Sequence, residues 1–338
     1  MTIAAPMLRR CALLRATSLR QILAYVLLAA AMTLSLNANA QDYPSKQIKL
    51  IVPFQPGGGN DRVARIVAEK LRAKWGQPVI IENRAGAGGN IGSDVVFNAA
   101  PDGYTLLLTA PGPLVINKSL YAKFPFDPEA FVPVSVIATS YAVLTVHPKV
   151  PADSVRQLIN YAKTHPGQLN FASSGAGATT HLGAELFKSM AAIDMVHIPY
   201  KGTGPALADL VSGQVDLMFM EISSVLPHIR AGKLRALGVG SDKRNPVLPD
   251  VPPVSEVLPG FVSQVWYGMV APPKTPAAIA NKLSSAIAEI LKHPDVAKQL
   301  QDNSIDAIGN TPAEMTQFMK QERERWGNLI RATGTRVE

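Results

Sequence analysis

Glycine carries most of the chemistry this sequence offers. Four loops, PFQPGGGND (53–61), AGAGGNIG (85–92), GAGATT (175–180) and KGTGPA (201–206), each follow a strand-like run and open a helix-like one. Glycine loses more chain entropy on folding than any other residue, so three in a row at 57–59 need a reason. At a strand-to-helix junction such a loop leaves backbone N–H groups free at a helix N-terminus, where the peptide dipole favours an anion. Tight turning is the competing reason and suffices for any one loop. Their recurrence favours the anion, and two receptive sites facing across a cleft suit a ligand charged at both ends.

Missing motifs narrow the anion. No Gly-x-x-x-x-Gly-Lys-Ser/Thr occurs, so there is no P-loop. Gly86, Gly88 and Gly92 form a loose GxGxxxG, but the next strand, YTLLLTA (104–110), ends at Thr109-Ala110-Pro111 with no acid for a ribose. Ser173 or Ser174 with His181 is a conceivable nucleophile and base, without an orienting acid or a Gly-x-Ser-x-Gly elbow. His181 and Glu185 are spaced i,i+4, yet no HExxH exists and the six histidines are scattered, so neither a metal nor a cofactor is expected. Charges near the loops are few: Asp61, Arg62, Glu82, Arg84, Lys201 and Glu221. Asp61 is expected in a first helical turn, and Glu221 at the carboxyl end of a strand, where open α/β sheets meet ligands.

The elements that must position these residues alternate. IKLIVPF (48–54), PVII (78–81), YTLLLTA, LNFASS (169–174), MVHIPY (195–200), QVDLMFM (214–220), LRALGVG (234–240) and SQVWYGMVAPP (263–273) read as strands. Helices are expected from Arg62 to Trp75, through Val95, Val96 and Ala99, from Ser154 to Thr164, over HLGAELFKSM and up to Val211. Thr275-Pro276 predicts an N-cap with proline at the first helical position, and Thr311-Pro312-Ala313-Glu314 a capping box. Strand, crossover helix and parallel strand define an α/β fold. VPVSVIATSYAVLTVHP (132–148) is long enough for two strands, or one that travels between domains. The pattern restarts near 145, and residues 246–259 form a proline-rich connection. The expected organisation is domain 1 from 41–144 plus 246–338, with domain 2, 145–245, inserted and joined by crossing strands.

The first forty residues read as a secretory signal. Arg9, Arg10, Arg15 and Arg20 precede the apolar run ILAYVLLAAAMTLSL, and Ala38-Asn39-Ala40 sets cleavage before Gln41. Removing those four arginines from a net charge of +8 leaves +4, no signature of nucleic-acid binding. The single cysteine, Cys11, lies in the signal, and an exported chain without disulfides fits a bacterial periplasm.

These motifs in this order resemble the Bug-type extracytoplasmic receptors, similar to the receptor of tripartite tricarboxylate transporters. YPSKQIKLIVPFQPGGGND, QPVIIENRAGAGGNIG, APDGYTLLL, LNFASSGAGATTHLGAELFKSM, VHIPYKG, GQVDLMF, LPHIRAGKLRALGV and LPDVP carry the resemblance along essentially the whole mature chain. It implies a two-lobe periplasmic binding fold, type II-like, that closes on a small carboxylate held mostly by backbone amides and water. It implies contacts from Phe54, Pro56, Gly57, Gly58, Gly59, Asn60 and Asp61 in the first loop, with Thr109 and Ala110. Facing them it implies Ser173, Ser174, Gly175, Ala178 and Thr179, then Tyr200, Gly202, Thr203, Met220 and Glu221. Asn60 stands where the family commonly has Thr or Ser, and Met220-Glu221 where it often has Asp-Asn. A negative Glu221 makes a ligand with an ammonium, a hydroxyl or a nitrogen heterocycle more credible than a tricarboxylate. The expected role is a monomeric, non-enzymatic receptor that delivers its ligand to membrane permease subunits. A hydrolase using Ser174 and His181, or a receptor for a signalling sensor, are the alternatives.

Overall fold

Strand β1 (Ile48–Val52) buries Ile48, Leu50, Ile51 and Val52, as a strand covered on both faces must. The computed structural model describes residues 43–200 and 202–337, so the signal segment, its cleavage site and Lys201 lie outside the described residues. Lys46–Glu338 forms one unit. After β1 come α1 (Gly59–Trp75), β2 (Val79–Asn83), a 3-10 turn at Ala87–Gly89, α2 (Asn90–Phe97) and β3 (Thr105–Thr109). Both β2 and β3 pair parallel with β1, with Leu50 opposite Ile81 and Leu106.

After a π-helical turn at Gly112–Ile116 and the short α3 (Asn117–Leu120), β4 (Val132–Val146) runs unbroken for 15 residues. Of the two expectations for this segment, the single strand is the one that forms. Nothing from Val134 to Val146 is Gly or Pro, and β-branched residues recur, so no residue type interrupts pairing. Its first ten residues pair antiparallel with β9 (Gln264–Ala271) and its last five with β7 (Leu217–Glu221). The sheet runs β2-β1-β3-β9-β4-β7-β5-β6, with β5 at Asn170–Ser173 and β6 at Val196–Pro199. Two more strands, β8 (Arg235–Val239) and β10 (Ile305–Ala307), also pair with β4.

Helices α4 (Val155–Thr164), α5 (Thr179–Ala191), α6 (Thr203–Ser212) and α7 (Ile222–Arg230) surround β5 and β7. Alternation along those strands sends Phe171 and Phe219 into a core with Phe187 and Phe261, and Ala172, Met218 and Met220 into another with Ala206 and Leu210. The closing helices are α8 (Ala277–Leu291), α9 (Pro294–Asp302) and α10 (Pro312–Thr333). The capping box forms at α10: Glu314 N–H donates to Thr311 Oγ1 (3.3 Å) and Thr311 N–H to Glu314 Oε2 (2.8 Å). The expected Thr275 cap does not form. Its hydroxyl donates to Pro272 O at 2.8 Å and Pro276 takes the N-cap position, so α8 starts one residue later. Sequence periodicity also passes over α7, whose Pro227 disguises it, and the short α9 and β10.

Candidate functional site

Five helices begin at one cavity of about 1230 Å³. Gly58, Gly89, Ala178, Gly202 and Glu221 precede α1, α2, α5, α6 and α7, and none offers a side-chain cap. Ser154 and Thr311 cap α4 and α10, which do not line this space, and α8 and α9, also away from it, lack side-chain caps as well. First-turn N–H groups left free of side chains are the donors an anion meets at a helix N-terminus. Gly175 and Gly177 line the same space, and at φ +77° Gly177 lies against Leu120, whose Cδ2 would be 1.9 Å from any Cβ. No group of three or more His, Cys, Asp or Glu able to hold a metal occurs among the described residues.

Fifteen of the nineteen expected contact residues line this cavity: Phe54, Pro56, Gly57, Gly58, Gly59, Asn60, Ala110, Ser174, Gly175, Ala178, Thr179, Gly202, Thr203, Met220 and Glu221. For Met220 the side chain is fully buried in the α6 core, so it shapes the wall from behind. Four are elsewhere. Thr109 is fully buried, its hydroxyl donating to Ala110 O. Tyr200 donates to Asp209 Oδ2 at 2.7 Å; burial first, then that carboxylate, push its phenol up to about 12.

Asp61 is buried behind the loop it was expected to serve from the front. Its carboxylate accepts from Gly57 N–H (3.0 Å), Arg65 Nε (2.8 Å) and Asn83 Nδ2 (3.1 Å), while Asn83 also donates to Phe54 O (3.1 Å). Burial pushes this carboxyl up, but the Arg65, Gly57 and Asn83 hydrogen bonds outweigh it and hold it below the usual range. Asp61 therefore positions the glycine loop. Asp61→Ala is expected to cost about 2 kcal/mol in urea unfolding, from the unpaired buried donors; an unshifted midpoint rejects that role.

Ser173 is the fourth, and it joins a histidine the sequence reading passed over. Its hydroxyl is fully buried and bonds His197 Nε2 at 2.7 Å and Gly175 O at 3.1 Å. The imagined Ser174–His181 pair does not form. Ser174 Oγ meets Thr180 Oγ1 at 2.9 Å, and His181 Nδ1 accepts from Gly177 N–H at 3.0 Å. The His181 and His197 rings stack with centroids 3.8 Å apart. Burial first, then the neighbouring charges, lower His181 to about 3; burial and Lys188 lower His197 to about 4. Neutral, His181 holds the 174–180 loop at Gly177 N–H, and His197 reaches it through the Ser173 hydroxyl.

The charged groups among the described lining residues are Arg62 and Glu221. Because α1 starts at Gly59, Arg62 falls in its first turn and reaches the cavity, with Nη1 donating to Asn303 Oδ1 at 3.2 Å. Glu221 accepts from Tyr267 Oη at 3.0 Å, and its other oxygen, Oε2, would be 3.0 Å from a Cβ on Gly59. Burial pushes the Glu221 carboxyl up, opposed by the Tyr267 hydrogen bond and by Arg62. Asn60 Oδ1 and Ser223 Oγ, also on the wall, are buried without a protein hydrogen-bond partner. Asn117 locks the second glycine loop, donating to Gly88 O at 3.1 Å and Asn90 Oδ1 at 2.6 Å. Asn117, Tyr121, Ser223 and Gln264 also line the cavity; Arg62 was legible from an earlier helix start, and these four carried no local signal.

A family model described as the tripartite tricarboxylate transporter family receptor matches residues 63–335. The chain belongs to that family. It is 40% identical over 305 residues to Protein BugT of Bordetella pertussis, covering 89% of this chain and 93% of BugT. The structure of R. palustris Rpa4515 with adipate superposes with a TM-score of 0.81 at 35% identity, covering 87% of this chain and 99% of that one. MatC from Rhodopseudomonas palustris, with bound malate, gives 0.77 at 33%, covering 85% and 100%. The mixed α/β architecture of this Bug-type receptor is that of periplasmic solute-binding proteins. It is a solute-binding receptor, not an enzyme.

Proposed function

We propose that this receptor captures a small carboxylate in the cavity at which the five helices start and releases it to membrane permease subunits. The carrying observation is the convergence of five helix starts without side-chain caps on a cavity whose described charges are one Arg62 and one Glu221. The adipate and malate in two neighbours support the ligand class. Residues 41–144 with 246–338 act as one lobe and 145–245 as the other. Ligand contacts to both favour the closed state, and only that differential affinity shifts the population. The family supports delivery to a permease, and the Arg-rich leader supports export to the periplasm with cleavage before Gln41.

Native mass spectrometry of protein purified from periplasmic extract tests both parts. The expected chain mass starts at Gln41, and the released ligand is an unmodified small carboxylate. A neutral sugar or a peptide in its place overturns the ligand class, and a mass starting at Met1 overturns cleavage. Deleting the gene should abolish uptake of that carboxylate; unimpaired uptake rejects delivery.

A further inference from the structure

The glycine loop at 57–59 is already faced by a carboxylate of the protein itself. Glu221 ends β7 and reaches the start of α1, where Oε2 lies 3.0 Å from the place a Cβ on Gly59 would take and Oε1 accepts from Tyr267. Gly59 has to be glycine for this approach, since a Cβ there would sit 2.0 Å from Tyr267 Oη. Oε2 accepts no hydrogen bond from a described residue, and the side chain lines the cavity. Glu221 thus places a carboxylate at one end of the cavity, and Arg62, the single cation among its described lining residues, stands near enough to act on it. At the other end, Ser174–Thr180 and Gly202–Pro205 bring the uncapped starts of α5 and α6, with no acidic residue among them.

We propose that Glu221 is the specificity-determining residue of the cavity, admitting a small monocarboxylate whose far end carries an ammonium and rejecting the dicarboxylate of equal length. The ligand carboxylate lies at the α5 and α6 starts, and its ammonium donates to Glu221 Oε2. In its ionised form Glu221 repels a second carboxylate at that end, and such a repulsive element discriminates as effectively as an attractive one. This assignment rests on the carboxylate-receptor reading above.

Calorimetry on the mature protein with two length-matched pairs tests it: 6-aminohexanoate against adipate, and 4-aminobutyrate against succinate. In the wild type the amino acid of at least one pair binds at least tenfold tighter than its dicarboxylate. In Glu221→Gln that ratio falls at least tenfold. Dicarboxylates binding the wild type as tightly as the amino acids overturn the proposal, as does a ratio unchanged in Glu221→Gln. The wild-type ratio decides alone if the variant does not fold. Failure of both classes, with a non-carboxylate recovered from periplasmic protein, rejects the receptor reading and the Glu221 assignment with it.

Discussion

Gly59→Val is expected to abolish ligand binding and to lower stability by about 2 kcal/mol, the usual cost of forcing extra volume into a packed site. A Cβ at this position would lie 2.0 Å from Tyr267 Oη, 2.8 Å from Tyr267 Cζ and 3.0 Å from Glu221 Oε2. Both side chains would have to move, and Tyr267 is fully buried. The Glu221–Tyr267 hydrogen bond would break, and the wall that faces α1 would shift with it. Neighbouring Gly58 supplies the control. Nothing lies within 4 Å of a Cβ there, and its φ of −79° suits any residue. Gly58→Ala should therefore cost under about 1 kcal/mol, the loss of a tolerable N-cap. Thermal melts and ligand titration of the pair check this. Equal effects of the two substitutions would show that the glycines matter for flexibility and not for the close approach.

Acid should destabilise this protein well above the range where carboxylates titrate. His181 and His197 are held neutral, at about 3 and about 4 in the fold against 6.5 when unfolded. Below pH 6.5 the unfolded chain takes up two protons that the folded chain refuses, so stability falls with pH down to about 4 and levels off near 3. The limiting slope is about 1.4 kcal/mol per pH unit for each fully excluded proton. Asp61 works in a lower window: its carboxyl is held down by folding, so its contribution is present above 3.8 and is lost as pH falls beneath that. Urea unfolding between pH 7.5 and 4.5 separates the two. His197→Phe, which keeps a ring against Phe171 and His181, should shed about half of the slope. A wild-type midpoint that stays flat from pH 6.5 to 5 would falsify the neutral pair. Because His181 stays neutral in the fold, its Nδ1 keeps Gly177 N–H over the same range, so ligand binding by the folded protein should not follow this slope.

Backbone requirements are written locally, and they were legible. The α/β alternation, the glycine loops at helix starts, the capping box at Thr311 and the apolar run of β4 all depend on residues within one or two turns of each other. That is why fifteen of the nineteen expected contacts reach the cavity. The four that do not, Asp61, Thr109, Ser173 and Tyr200, lie one pleat or one turn from residues that do. Position in sequence placed them near the site, and side-chain direction turned them into its scaffold.

By itself, then, the sequence determined the fold class, the receptor family and the backbone character of the loops, because glycine spacing and apolar period act through neighbouring residues. Tertiary structure alone decided what meets across the cavity. Glu221 and Tyr267 are 46 residues apart and His197 is 24 from Ser173, so no local pattern encodes their contact. Glu221 and Tyr267 meet because β4 gives its first ten residues to β9 and its last five to β7, while Ser173 and His197 meet because β5 pairs parallel with β6. A run of glycines marks where a ligand or a side chain approaches closely; pairing of distant strands determines that at Gly59 the approaching groups are the Tyr267 hydroxyl and, beside it, the Glu221 carboxylate.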